Sequence, residues 1–162
     1  MAIQTQVDDE SGSRDEGPPT INLAHVACAY GELAILRWAL QIQPAIAVAL
    51  DPKGQLAIHV CISESMDPRL IEALLEPGVV SDGDCERQLA TEDSNGMTPA
   101  RLLAAKRNTR TKLTSELGRK EIALLDESLV VVQKATRSLL RRQKRKGEEG
   151  SRSSTGRNVG EF

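Results

Sequence analysis

Two histidines and two cysteines recur together in this sequence and are the first candidates for chemistry. His25 lies three residues before Cys28, and His59 lies two residues before Cys61. Imidazole and thiolate groups bind zinc, but a zinc site needs three or four protein ligands. The chain has only two histidines, and no carboxylate lies at ligand spacing from either of them. We therefore expect structural roles for His25 and His59, with no metal site and no cofactor.

The third cysteine lies in an acidic segment. Cys85 is flanked by Asp82, Asp84 and Glu86. Negative neighbours raise the pKa of a thiol and lower its reactivity, so we expect Cys85 to be exposed but slow to react. Asp82 and Asp84 together are too short a motif for a calcium loop, which needs a glutamate at its twelfth position.

The sequence lacks the common signatures of enzymes. It has no phosphate-binding glycine loop, no His-Glu-x-x-His and no Gly-x-Ser-x-Gly. We predict no catalytic residues and a protein that is not an enzyme.

Composition and charge indicate a protein of a reducing compartment, cytoplasmic or nuclear. An odd cysteine count argues against a disulfide framework, and we predict neither a signal peptide nor a membrane span. Residues 1–100 carry 5 Lys/Arg against 16 Asp/Glu, whereas residues 101–162 carry 16 against 7. This split predicts an acidic body followed by a basic arm.

The elements that must position these residues form a repeat. Residues 22–31 and 56–62 share a core of small residues around the histidine, and the two histidines are 34 positions apart. A leucine-rich helix follows each copy, at residues 35–40 and 70–76. A period of this length is typical of stacked helical repeats, whose units bury their apolar faces against one another. The sequence therefore predicts an all-α solenoid.

The repeat body, residues 20–108, resembles the ankyrin family. Asp51-Pro52-Lys53-Gly54 matches the family's turn, and Asp93 to Pro99 matches the turn and the Thr-Pro that opens the first helix. Leu74-Leu75-Glu76-Pro77-Gly78 matches the end of the second helix. The units depart from the family where Thr-Pro is missing and where residues 79–87 lengthen the spacing, which we interpret as a loop insertion. The third unit lacks a second helix of the family's type.

The resemblance implies roles for particular residues. The two histidines would link neighbouring turns, and Cys28 and Cys61 would pack as small apolar residues, as would Trp38 in the second helix. The other residues with implied structural roles are Gly54, Gly96, Thr98 and Pro99. Members of the family bind other proteins through turn tips and first helices. Carried over to this chain, the implied partner-binding residues are Tyr30, Asp51, Lys53, Gln55, Ser63, Glu64, Ser94 and Asn95.

A basic amphipathic helix is predicted for residues 119–146, after a linker at residues 109–118. Its apolar residues follow steps of three and four, a pattern that favours either docking on the repeats or pairing with a partner helix. The predicted basic patch comprises Arg137, Arg141, Arg142, Lys144, Arg145 and Lys146. Such a run is also typical of nuclear localisation or weak nucleic-acid contact, which gives an alternative function as a nuclear regulatory factor.

Two further expectations concern the ends of the chain. Residues 1–19 and 147–162 are polar and poor in large apolar residues, so we predict disorder in both. With only two and a half to three units, the chain is also consistent with a fragment of a longer repeat array.

Overall fold

The computed structural model describes residues 21–111 and 116–153, and within these ranges the chain is all-α. Seven α-helices and one short 3-10 helix account for its regular structure. They are α1 (Leu23–Tyr30), α2 (Leu33–Ile42), the 3-10 helix (Pro44–Val48), α3 (Ala57–Glu64), α4 (Pro68–Leu74), α5 (Asp82–Ala90), α6 (Pro99–Arg110) and α7 (Glu116–Ser153). The all-α fold class expected from the sequence is confirmed.

The helices form pairs that contact each other in order. α1 contacts α3 and α3 contacts α6, while α2 contacts α4 and α4 contacts α7. α1 also contacts α2, α3 contacts α4, and α6 contacts α7. The third pair therefore consists of α6 and α7.

Apolar residues with helical spacing form the core between these pairs. Leu36 and Leu40 of α2 and Leu70 and Leu74 of α4 are almost fully buried, together with Cys28 of α1 and Cys61 of α3. In α7, every seventh residue is buried, at Leu125, Val132 and Leu139. Because α7 contacts α4, α5 and α6, this stripe packs within the chain, as the docking alternative predicts.

The segment interpreted from the sequence as a loop insertion is a helix, so that interpretation is wrong. α5 covers Asp82–Ala90 and is capped by Ser81, whose hydroxyl accepts a hydrogen bond from the amide of Asp84 at 3.1 Å. Asp82 and Asp84 in the first turn and Arg87 in the last turn complement the helix dipole. Gln88 holds α5 in place, donating to the buried Leu74 carbonyl at 2.8 Å.

The predicted boundaries around α7 also differ from the structure. α6 extends to Arg110 and α7 begins at Glu116, so both helices enter the predicted linker. α7 continues to Ser153, beyond the predicted end at residue 146, and so includes part of the expected tail. Residues 1–20, 112–115 and 154–162 lie outside the described residues, and with them the expected disorder of residues 1–19.

Candidate partner-binding surface

Two turns of identical construction precede α3 and α6. In the first, Asp51 Oδ1 accepts from the amides of Lys53 at 2.9 Å and Gln55 at 2.8 Å. In the second, Asp93 Oδ1 accepts from the amides of Asn95 at 2.8 Å and Met97 at 2.9 Å. Each carboxylate thus holds the backbone of the turn that follows it.

A glycine completes each turn in the left-handed region. Gly54 has φ +72° and Gly96 has φ +71°, values that residues with a Cβ rarely adopt. The amide of each glycine donates to the carbonyl of the aspartate at 2.9 Å. The Asp-x-x-Gly spacing therefore encodes a rigid tip.

His25 connects the first helix pair to the first turn. Its Nδ1 lies 2.9 Å from Asn22 Oδ1, and its Nε2 lies 3.0 Å from the carbonyl oxygen of Gln55. Asn22 also caps α1 by accepting from the amides of Ala24 and His25. The buried imidazole therefore fixes the distance between the start of α1 and the neighbouring turn.

His59 has the equivalent place in the second pair and is fully buried. Its Nδ1 accepts from the amide of Leu56 at 3.2 Å, so the neutral ring carries its proton on Nε2. Burial lowers the pKa of His59, against the opposite effects of the Asp93 carboxylate and the carbonyls of Met97 and Thr91. Among the described residues, Nε2 has no hydrogen-bond partner of normal geometry.

The residues at the tips differ in their exposure. Lys53, Ser94 and Asn95 are exposed, whereas Gln55 is half-buried. The backbone amide and the backbone carbonyl of Gln55 both form hydrogen bonds, with Asp51 and His25 respectively. Asp51 is only 7% exposed and its carboxylate is used by the turn. The expectation that Asp51 faces a partner therefore needs correction, because its side chain serves the turn.

The other predicted contact residues lie at the C-terminal ends of α1 and α3. Tyr30 is the last residue of α1 and Glu64 is the last residue of α3, whereas the turns lead into the first residues of α3 and α6. Tyr30 is 79% exposed. Ser63 is half-buried, and its carbonyl accepts from Lys106 Nζ at 2.6 Å. The structure thus does not bring the eight predicted residues into one patch.

The start of α6 follows the predicted pattern. Thr98 accepts a long hydrogen bond, 3.4 Å, from the amide of Arg101, and Pro99 is the first residue of the helix. Proline suits this position because the first amides of a helix have no partner within it.

The predicted basic patch is divided between two faces of α7. Arg142 and Lys146 form ion pairs with Asp82 of α5, the second at 3.4 Å, and the Arg142 guanidinium is the main cause that lowers the pKa of Asp82. The remaining four cations, together with Lys134, are exposed along the helix. This exposed basic stripe consists of Lys134, Arg137, Arg141, Lys144 and Arg145.

Cys85 and Trp38 contradict their predictions. Cys85 is 4% exposed, and burial, followed by the Asp82 charge, raises the pKa of its thiol. Its low reactivity is thus expected from burial rather than from acidic neighbours alone. Trp38 is 58% exposed rather than packed in the core.

Cys28 and Cys61 lie side by side in the core. The hydrogen bond between the two thiols and then burial raise the pKa of Cys28. Both cysteines are therefore packed residues of the α1–α3 contact, as the sequence resemblance implies.

Comparison with known proteins adds no relative. No family model matches the chain, and no curated protein and no solved structure matches it either. Within residues 21–111 and 116–153, no three His, Cys, Asp or Glu side chains cluster as a metal site would require. In the same ranges, no helix is long and apolar enough to span a membrane.

Proposed function

We propose that this chain is a protein–protein interaction module built as a short, ankyrin-like stack of helix pairs. The observation that carries the proposal is the pair of turns at residues 51–55 and 93–97, which have the same hydrogen bonds and the same glycine conformation. Repeating rigid turns form an extended surface that varies only in the exposed side chains.

The order of helix contacts supports a stack of three pairs. The inner helices are α1, α3 and α6, and the outer helices are α2, α4 and α7. α7 takes the place of the second helix that the third unit lacks in sequence. Buried His25 links the first pair to the turn that precedes α3, through the carbonyl oxygen of Gln55, and so fixes the position of that turn relative to α1.

The exposed tips define the chemistry of the partner. Lys53, Ser94 and Asn95 offer one cation and two uncharged polar groups on backbones that lose little entropy on binding. We expect the partner to present a carboxylate to Lys53 and backbone or amide groups to the other two. The protein would act as a non-enzymatic adaptor in the cytoplasm or nucleus.

A triple variant of the full chain tests this assignment. Lys53→Glu, Ser94→Arg and Asn95→Arg change only exposed side chains, so helicity and melting temperature should stay close to those of the unmodified chain. Proteins captured from native extract by chemical cross-linking should be lost with this variant. The matched control, Glu72→Lys with Glu76→Arg, changes one exposed residue of α4 and one just after that helix, and it should retain the captured proteins. Equal capture by both variants would contradict the proposal.

The exposed basic stripe supports a second candidate, a nuclear factor that contacts nucleic acid. Five cations on one face attract a polyanion in a salt-dependent way, but the pairing of Arg142 and Lys146 with Asp82 reduces the charge available. Replacement of Arg141, Arg142, Lys144, Arg145 and Lys146 with glutamine should abolish weak nucleic-acid binding and leave protein capture intact. Loss of the protein partner instead would make α7 the recognition site.

A further inference from the structure

The first helix pair has an apolar side that no described part of the chain covers. Its large side chains are between 40% and 79% exposed, although the residues behind them are buried. They recur at helical spacing, three on each helix, so each set forms one stripe. This outer apolar face consists of Leu23, Val26, Tyr30, Ile35, Trp38 and Ile42.

The face is turned away from the rest of the stack. On α2, Arg37 and Gln41 line a cavity together with Ala73 and Glu76 of the second pair, so the opposite side of the helix points away from α4. On α1, His25 contacts the next turn and Cys28 contacts Cys61. The α1 stripe lies on the other side of that helix.

The equivalent positions of the second pair show that this pattern is specific to the first. Leu36, Ala39 and Leu40 correspond, 34 positions later, to Leu70, Ala73 and Leu74, and all six are buried. By contrast, Ile35, Trp38 and Ile42 correspond to three charged, exposed residues: Arg69, Glu72 and Glu76. Terminal units of a stack normally present a polar outer face to water.

We infer that the outer apolar face is the interface of a homodimer, in which the first helix pairs of two copies of this chain pack against each other. The area agrees with this. At roughly 150–250 Å² for an aromatic side chain and less for an aliphatic one, the six side chains expose on the order of 600 Å². A standard interface buries about 800 Å² on each partner.

The charges of the first pair also favour a second copy as the occupant. Residues 21–56 contain two acidic residues, Glu32 and Asp51, and two basic residues, Arg37 and Lys53, so their net charge is zero. None of the six residues of the face is charged at neutral pH. Two copies can therefore approach through this face without the like-charge repulsion that the acidic α4–α5 region or the basic stripe would bring.

The one-sidedness of the face predicts a closed dimer rather than a chain of copies. The opposite end of the stack is formed by α6 and α7, where charged residues such as Arg101, Arg119 and Glu127 are exposed. The exposed apolar side chains of α7 are spread along the helix among these charges and lie at Leu117, Leu124, Val130 and Leu140. A patch that meets an identical patch closes with two-fold symmetry, whereas head-to-tail growth needs a complementary second surface.

Trp38 is the only tryptophan and lies on the face, so it reports directly on association. We expect light scattering with size-exclusion chromatography to give a mass near twice the 17.6 kDa of the chain. Dilution from about 300 µM to about 10 nM, which covers the weaker part of the µM-to-pM range of affinities found for interfaces of standard size, should shift the Trp38 emission to longer wavelength as the side chain becomes hydrated.

Two variants decide the assignment. Tyr30→Glu with Ile42→Glu places two carboxylates in the face, keeps the tryptophan, and should give a monomer whose emission does not change on dilution. Val130→Glu removes an equally exposed apolar side chain from α7 and should remain a dimer. Circular dichroism establishes that both variants are folded.

Two results would overturn the inference. One is a monomeric unmodified chain with constant Trp38 emission, which would leave the face for a different occupant, such as a preceding helix pair. The other is a dimer that survives the double glutamate variant, which would place the interface elsewhere. Neither result depends on capture by the turn tips, so the proposed function is judged separately.

Discussion

Replacing the turn aspartates one at a time measures how much the two turns stabilise the fold. Asp93→Ala removes the acceptor of two amide hydrogen bonds, from Asn95 and Met97, at a carboxylate that is 8% exposed. Hydrogen bonds to charged groups contribute about 1.5–3 kcal/mol each. Because both bonds end on one oxygen and water reaches the turn after truncation, we expect a loss of about 2–4 kcal/mol rather than the full sum.

Asp93→Asn provides the matched control. The amide keeps Oδ1 as an acceptor but removes the charge, so the bonds become roughly half as strong, and the loss should be about 1–2 kcal/mol. Asp51→Ala and Asp51→Asn should reproduce the same pair of values, since the first turn has the same hydrogen bonds. Urea unfolding followed by circular dichroism gives the free energies. Equal losses for Ala and Asn at both positions would refute the idea that these oxygens hold the turns.

The pKa of His59 is lowered by burial, which predicts stability that depends on pH. Between the folded-state pKa and the unfolded-state value of about 6.5, the unfolded chain binds more protons, so the free energy of unfolding should fall as pH decreases below about 6.5. His59→Gln should flatten this part of the urea-measured profile, and an unchanged slope in that variant would contradict the assignment. Gln88→Met should cost about 1–3 kcal/mol because it leaves the buried Leu74 carbonyl without its donor. The exposed substitution Gln133→Met should change stability by less than about 0.5 kcal/mol in the same denaturation assay, and a similar small effect at Gln88 would show that its hydrogen bond contributes little.

Local chemistry made the turns predictable from sequence. An aspartate three residues before a glycine specifies both an acceptor for the turn amides and a residue that tolerates positive φ. Residues Thr98 and Pro99 likewise mark the start of α6, and the heptad spacing of Leu125, Val132 and Leu139 marks the packed side of α7. These signals depend on neighbours within a few positions of the chain.

The errors arose where the decisive neighbours are distant in sequence. α5 contains Asp82, Gly83 and Asp84, which favour loops, and the hydrogen bond that holds this helix against the core joins Gln88 to the Leu74 carbonyl, fourteen positions earlier. The buried thiol of Cys85 donates to the carbonyl of Leu75, just after α4, at 3.8 Å, and this neighbour is ten positions away in the sequence. Trp38 would be buried only if another helix pair covered its side of α2. The periodicity of α2 does not show whether such a pair is present.

The placement of α7 has a consequence for how the chain folds during synthesis. α4 and α6 both pack against α7, so they lack this packing partner until residues 125–139 have been synthesised. The ion pair of Asp82 forms later still, because its partner Arg142 lies 60 positions further along the chain. Translation proceeds at about 5–20 residues per second, so the first two pairs are synthesised several seconds before α7 is there to cover its contact surface on α4. Nascent chains stalled before residue 125 should therefore associate with chaperones that bind apolar surfaces, and those stalled after α7 has left the ribosome should be released from them.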